Sequence, residues 1–346
     1  MNEQTKNSNE LSFDRDYIGG ESIYEVSVGK AEFSNEIHIP STYKGVPVKI
    51  ISRLGFANAK MSKLAIPDTI ITIERAAFKN CENLISVSIP KSVKELELSS
   101  FYGCKSLIDV TLHEGLTSIG ENAFYECEKL QNITIPSTVK LIDTQAFYGC
   151  KSLKNIKIPN GIDIIHILAF ANCESLESVS IPNSVTKIDS SAFSHCESLT
   201  SIVIPNAVTC IERYAFFGCE KLRDVILSNA LTLIEASTFA NCKSLESITI
   251  PENVTSIEKD AFYGCENLTS IVIPSSVNSI ASYAFCKCYK LKAVYYLGTP
   301  TQWNNNSFDN CFSILPSTEI YFYSKTKPTD TSYHYWHYVN GKPAIW

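Results

Sequence analysis

A phenylalanine returns every 23 residues along most of this chain. The series runs Phe78, Phe101, Phe124, Phe147, Phe170, Phe193, Phe216, Phe239, Phe262, Phe285 and Phe308. Each carries a cysteine three residues on and a leucine three after that, as in Phe78, Cys81 and Leu84; the last unit instead ends in Cys311 and Ile314. A copy centred on Phe56, 22 residues before Phe78, brings the count to twelve units. So short a period leaves few folds open. One unit cannot bury its own apolar residues, so stacked copies must close the core between them.

The other columns are nearly as regular. An apolar-Pro step occupies Ile66-Pro67, Ile89-Pro90, Ile135-Pro136, Ile158-Pro159, Ile181-Pro182, Ile204-Pro205, Ile250-Pro251 and Ile273-Pro274; Leu112-His113, Leu227-Ser228 and Tyr296-Leu297 break it. The unit reads I-P-x-x-V-x-x-I-x-x-x-A-F-x-x-C-x-x-L-x-x-V-x. Residues 176–181 alternate apolar and polar, as a short strand with one buried face does. The proline that follows removes a ladder donor and ends the strand. The A-F-x-x-C-x-x-L run has the i, i+3, i+6 spacing of a short helical or 3₁₀ turn. At about 4.8 Å per copy, twelve copies predict a parallel sheet roughly 55–60 Å long. The expected fold is an α/β repeat solenoid.

Composition narrows the function. With 45% hydrophobic residues, 19% charged and a net charge of -6, the chain is globular. It contains no apolar run of about eighteen residues, the length a membrane-spanning helix needs. The acidic balance argues against nucleic acid, whose phosphates require a face rich in Lys and Arg. The first residues, MNEQTKNSNEL, hold no apolar segment of signal-peptide type, which fits either an intracellular protein or an excised mature piece.

Eleven of the thirteen cysteines recur at the repeat period instead of in close pairs. Zinc needs thiolates converging at spacings such as C-x-x-C, and parallel side chains on neighbouring rungs lack the torsion of a disulfide. The column is expected to be buried free thiols acting as small hydrophobes. Cys210 stands in a column otherwise holding Thr72, Glu95, Ser118 and Lys187, so it is expected nearer solvent; Cys286 also falls out of register. His334 and His337 have no third ligand beside them, and His113-Glu114 begins like a zinc-protease helix but lacks its second histidine. No phosphate-binding loop or G-x-S-x-G motif occurs. No catalytic, cofactor-binding or metal-binding residue is assigned.

Recognition in a repeat protein falls to the residues displayed between the apolar columns. On the strand face these are mostly small and uncharged, such as Ser88, Thr111, Thr134 and Ser180, but Val203, Ile226 and Val272 form a modest apolar patch. The position after Phe holds Tyr102, Tyr125, Tyr148, Phe217 and Tyr263, which are expected to line one ridge. These eight are the candidate partner-binding residues. Charges of both signs follow the periodic cysteines from Glu82, Lys105, Glu128 and Lys151 through Glu266, and read as a solvated face of facing ion pairs.

Beyond Phe308 the period stops and aromatics crowd together, among them Tyr321, Phe322, Tyr323, Tyr333, Tyr335, Trp336, Tyr338 and Trp346. Asn340-Gly341 between YWHYV and KPAIW signals a two-residue hairpin turn. This segment reads as a C-terminal cap, with an aromatic ligand shelf as the alternative.

The A-F-x-x-C-x-x-L core and the I-P step resemble those of the BspA-like leucine-rich repeat family. The resemblance implies a right-handed coil with a parallel β-sheet face, short 3₁₀ or helical turns opposite, and β-rich caps. The corresponding domains are 1–38 as N-terminal tail and cap, 39–314 as solenoid, and 315–346 as aromatic β-hairpin cap. It also implies a non-enzymatic protein-binding module of bacterial or protist surface type. Such a module would engage a protein or glycoprotein partner, such as host matrix, in adhesion at the cell surface or after secretion, without a cofactor. An intracellular scaffold is the alternative, favoured by the unpaired thiols.

Overall fold

The computed structural model describes residues 10–308 and 318–346. Cys311 and Ile314, which close the last repeat, lie outside the described residues. The chain divides into two units, 1–184 and 185–346. Each is a β-solenoid whose rungs contribute one strand to each of two parallel ladders.

In the first unit, one ladder stacks Glu36–His38, Lys63–Ala65, Ser86–Ser88, Asp109–Thr111 and Asn132–Ile133, and Asn155–Lys157 pairs with Ser178–Ser180 beyond it. The other joins Glu21–Ser27, Val46–Ile51, Thr72–Ile73, Glu95–Leu96, Ser118–Ile119 and Leu141–Ile142. Register is set by like on like: Val110 lies opposite Val87, and Ile119 lies opposite both Leu96 and Ile142. A slip of one residue would turn these side chains to solvent. Between the two strands of a rung the proline carbonyl closes a turn, as Pro90 does by accepting from Val93 N at 3.1 Å. The Ser or Thr before that valine bonds to the previous rung: Thr138 Oγ1 donates to Leu116 O at 2.7 Å and Ser184 Oγ to Ile162 O at 2.6 Å. Ahead of the ladder, Ser12–Ile18 and Glu21–Ser27 form an antiparallel hairpin. Its turn, Gly19-Gly20, has φ of 58° and 85°, the paired left-handed conformation of a tight hairpin.

The Phe-Cys-Leu arc is not helical. Its amides alternate between local and inter-rung acceptors. Ala77, Lys79 and Cys81 donate three residues back, to Glu74, Ala76 and Phe78. Ala76, Phe78 and Asn80 donate to Leu98, Ser100 and Tyr102 of the next rung, at 2.9, 2.9 and 2.6 Å. A helix would retain all of these bonds. The alternation also requires left-handed backbone two residues either side of Phe, as at Ala76 (φ 55°) and Asn80 (φ 58°). The expected helical spacing of three was the spacing of linked turns.

Within the arc the phenylalanines stack. In the first unit, centroids from Phe78 through Phe101 and Phe124 to Phe147 are 5.1, 5.6 and 5.3 Å apart. In the second, Phe193, Phe216, Phe239, Phe262 and Phe285 follow at 5.4–5.7 Å. The cysteines do more than fill space. Cys127 Sγ donates to Phe101 O at 3.3 Å and Cys150 Sγ to Phe124 O at 3.2 Å, and the second unit repeats this with Cys242 to Phe216 O and Cys265 to Phe239 O. The same Phe carbonyl accepts the amide of its own rung's cysteine, as Phe101 O does from Cys104 N. Burial pushes these thiols up, Cys219 to about 12.

The second unit ends in a six-stranded sheet of Ser247–Thr249, Ser270–Ile273, Ala293–Tyr296, Glu319–Tyr323, His334–Val339 and Lys342–Ile345. A short helix, Pro300–Asn305, is inserted ahead of its fourth strand. Thr299 caps it by accepting from Gln302 N at 3.2 Å while Gln302 Oε1 takes Thr299 N at 2.8 Å. The last two strands form the antiparallel hairpin expected at Asn340-Gly341, with φ of 51° and 76°.

Two outcomes follow. Phe124→Ala removes a fully buried ring packed between two others and should lower stability by about 3–5 kcal/mol in denaturant titration. Brief iodoacetamide treatment of the native protein should label Cys210 and Cys286, both half-buried, and leave Cys81, Cys127, Cys150 and Cys219 unmodified until denaturant is added. Mass spectrometry of the tryptic peptides reads the difference.

Candidate functional site

The outer face of the first ladder is carried by alternate residues of its short strands, because each middle residue points to the core. In the first unit this face shows Ser88, Thr111 and Ser180 with the exposed Lys157, and a shallow depression lies over Thr134, Lys157 and Ser180. Ser178 Oγ donates to Asn155 Oδ1 at 2.6 Å across neighbouring strands. The equivalent face of the second unit is different. Val203 and Ile226 are direct register partners on adjacent strands and are 58% and 61% exposed. Beside them a depression is lined by Arg223, Asp224, Ile226, Asn229 and Thr249.

Val272 does not belong to this exposed strip. It is only 6% exposed and packs with Tyr321 and Trp336. Its strand positions match the exposed columns, but the side chains that cover it come from the aperiodic tail, which the repeat pattern does not specify.

The residues after Phe form separate groups. Tyr102, Tyr125 and Tyr148 stack face to face in the first unit, with centroids 4.6 and 4.7 Å apart, and Lys79 Nζ lies 4.8 Å from the Tyr102 centroid. All three are half-buried, and burial followed by the field of Tyr148 raises the Tyr125 hydroxyl. In the second unit Phe217 meets His195 and Tyr214 edge-on at 5.2 and 5.8 Å. Tyr263 carries Lys287 Nζ at 4.9 Å from its centroid. Ala240 holds the position between Phe217 and Tyr263, so these two do not stack.

The remaining polar features are built into the scaffold. Lys105–Glu82, Lys151–Glu128 and Lys243–Glu220 pair across neighbouring rungs at 4.0, 3.9 and 2.6 Å. On the second ladder Lys187 Nζ lies 2.8 Å from Asp189 and 2.6 Å from Glu212, which raises the lysine and lowers Glu212. Cys210, on the neighbouring strand, is raised by burial and by Glu212. Glu114 accepts from Ser137 N and Oγ at 3.1 and 3.0 Å, bonds that lower its carboxyl, so the His113-Glu114 pair is engaged in linking rungs. His337 stacks on Trp346 at 3.7 Å while His334 tilts against Tyr321, so the two imidazoles point to opposite faces of one strand. Among the described residues no group of three or more His, Cys, Asp or Glu converges as a metal site, and no helix is long and apolar enough to cross a membrane.

Sequence reasoning missed several exposed aromatics, among them Tyr17, Tyr214, Tyr283 and Tyr289. Tyr283 and Tyr289 are 55% and 67% exposed. Tyr289 occupies the column after Cys that is charged in the nine preceding units, from Glu82 to Glu266, and this break in composition was the available signal.

A family model described as BspA type leucine rich repeat region matches residues 49–140, 72–200 and 186–315. Among solved structures, a leucine rich cell surface protein from Faecalibacterium prausnitzii is 30% identical over 86% of this chain and 98% of that one, with a TM-score of 0.47. A leucine-rich repeat protein from Bacteroides ovatus is 24% identical over 90% and 98%, with a TM-score of 0.51. The pneumococcal vaccine antigen PcpA is 19% identical over 92% and 93%, with a TM-score of 0.57. No curated protein sequence matches the chain. With its repeats matched by the family model from residue 49 to 315, the chain belongs to the BspA-type leucine-rich repeat family.

Proposed function

We propose that the chain is a non-enzymatic protein-binding module whose first-ladder face takes the partner. The observation that carries this reading is the Val203–Ile226 pair. Two β-branched side chains, both more than half exposed, stand opposed on neighbouring strands of a face that elsewhere shows mostly Ser, Thr and Asn, with charged residues such as Asp109, Lys157 and Asp224. Apolar side chains held on hydrogen-bonded strands lose little freedom when covered, so their burial favours binding at low ordering cost. The ridge of Tyr102, Tyr125 and Tyr148 is a secondary surface. Its ring faces are engaged in stacking and leave hydroxyls and edges for a partner.

Family membership supports adhesion at a cell surface, with a matrix protein or glycoprotein as partner, and the net charge of -6 speaks against nucleic acid. The buried unpaired thiols favour an intracellular scaffold as the second reading. Protease shaving of intact source cells separates the two. Loss of the chain with a cytosolic marker intact supports adhesion, whereas protection until lysis sinks it. The coil is taken as right-handed, the hand that parallel crossovers of L-residues adopt.

The terminal hairpins are assigned as caps. In the last hairpin Trp346 N bonds inward to Tyr335 O, so by alternation Pro343 occupies an outward position, where it offers no N–H to another strand.

The double substitution Val203→Ser with Ile226→Ser should weaken binding to immobilised matrix glycoproteins about tenfold, since two partly buried aliphatic groups are lost. Undiminished binding would remove this face from the reading. Pro343→Thr restores an outward donor and should shift the protein toward higher-mass species in light scattering; an unchanged monomer mass would refute the edge-blocking role.

A further inference from the structure

The outer face of the six-stranded sheet carries an aromatic cluster that capping does not explain. A cap has to cover the inner core, and that is done by the inward side chains of the terminal strands, such as Val294, Tyr296 and Phe322. Tyr295 and Tyr321 are register partners in the same outward row as Val272, and Trp336 stands opposite Tyr323 in the next outward row. Trp336 is nevertheless fully buried. Its Nε1 donates to Tyr296 O at 3.0 Å, and Tyr295, Tyr323 and Tyr338 surround it at 5.2, 5.3 and 4.9 Å between centroids. A buried, hydrogen-bonded tryptophan thus fixes three tyrosine rings on the outside of a sheet.

The three rings are set at 54°, 66° and 73° to the indole. Tyr338 is 42% exposed, and Tyr295 and Tyr323 are half-buried. Two exposed carboxylates border the cluster: Glu319, which accepts from the Tyr321 hydroxyl, and Glu252, whose field reaches Tyr338. An open platform of tilted rings with hydrogen-bond acceptors at its margin suits a ligand that has apolar C–H faces and hydroxyl edges. The rings sit on successive strands but two residues apart in register from one strand to the next, so they run diagonally over the sheet, with the Tyr323 and Tyr338 centroids 6.0 Å apart, of the order of the advance per residue of an extended β-linked pyranose chain.

We propose that this platform binds a neutral β-linked oligosaccharide lying diagonally over the strands. Its pyranose faces rest on Tyr295, Tyr323 and Tyr338, and its hydroxyls bond to Glu252 and Glu319. The site does not depend on the Val203–Ile226 surface.

The test is calorimetric titration of the full chain with β-1,4-linked hexasaccharides of glucose, mannose and N-acetylglucosamine. At least one should bind saturably and perturb tryptophan fluorescence. Tyr323→Ala and Tyr338→Ala, with melting temperatures confirming the fold, should each weaken it about tenfold. Tyr338→Phe keeps the ring and should weaken it less. The Val203→Ser, Ile226→Ser variant should bind sugar as the unaltered chain does, so loss of protein capture alone would count only against the protein-binding reading. Absence of binding by all three sugars at millimolar concentration, or equal binding by both alanine variants, overturns the sugar site.

Discussion

The hydrogen bonds that leave each Phe arc for the next rung, such as Phe78 N to Ser100 O and Phe101 N to Ala123 O, hold one rung directly over its neighbour. This spacing is the constraint that the remaining structure has to satisfy. With rungs about 4.8 Å apart, every inward side chain meets its own counterpart, so each column must hold a residue type that packs against itself. Phenylalanine does so by near-parallel stacking at 5.1–5.7 Å. Leucine, valine and isoleucine do so by dispersion. Cysteine fits for a further reason: its thiol is small enough to sit beneath another thiol, apolar enough to be buried, and able to donate weakly to the Phe carbonyl of the previous rung. Serine would make the same bond at a larger desolvation cost.

The same constraint decides what could be read from the sequence. The period, the strand before each proline and the buried columns were legible because stacking like on like writes each requirement into the chain about a dozen times. The backbone of the arc was written there too, in part. In most rungs the position two after Phe holds Asn or Gly, as at Asn80, Gly103, Gly149, Asn172, Gly218, Asn241 and Gly264, residues that tolerate left-handed backbone; Glu126, His195 and Lys287 are the departures, and all of them have positive φ. The position two before Phe has equally positive φ at Ala76, Leu168 and Tyr214 but no such composition. There the inter-rung hydrogen bond imposes the conformation on whatever residue is present, so no local preference could have announced it. The spacing i, i+3, i+6 served helix and linked turns alike, and only the destination of alternate amides distinguishes them.

The candidate surface was less legible for a related reason. An outward residue does not touch the core, so its column is free to vary and its exposure depends on what lies over it. Val203, Ile226 and Val272 are equivalent by repeat position, yet the first two are exposed and the third is buried under Tyr321 and Trp336. That difference comes from side chains 49 and 64 positions further along the chain, in a segment with no period.

Function in such a molecule is therefore best sought where the repetition fails. A column that repeats faithfully is explained by stacking, and its residues are already engaged with their copies, as the tyrosines of the first unit's ridge are. A position that departs from its column needs another reason. Val203 and Ile226 stand where other rungs place Ser88, Thr111, Thr134 or Ser180, and the neighbouring rung positions run on through Thr249 and Val272 to Tyr295. Within the second unit the outward row thus departs from the small polar pattern at Val203, Ile226, Val272 and Tyr295, with only Thr249 keeping to it, while the inward columns stay apolar. Stacking alone does not ask for that departure. An external surface that meets these rungs, and not their equivalents elsewhere, would ask for it.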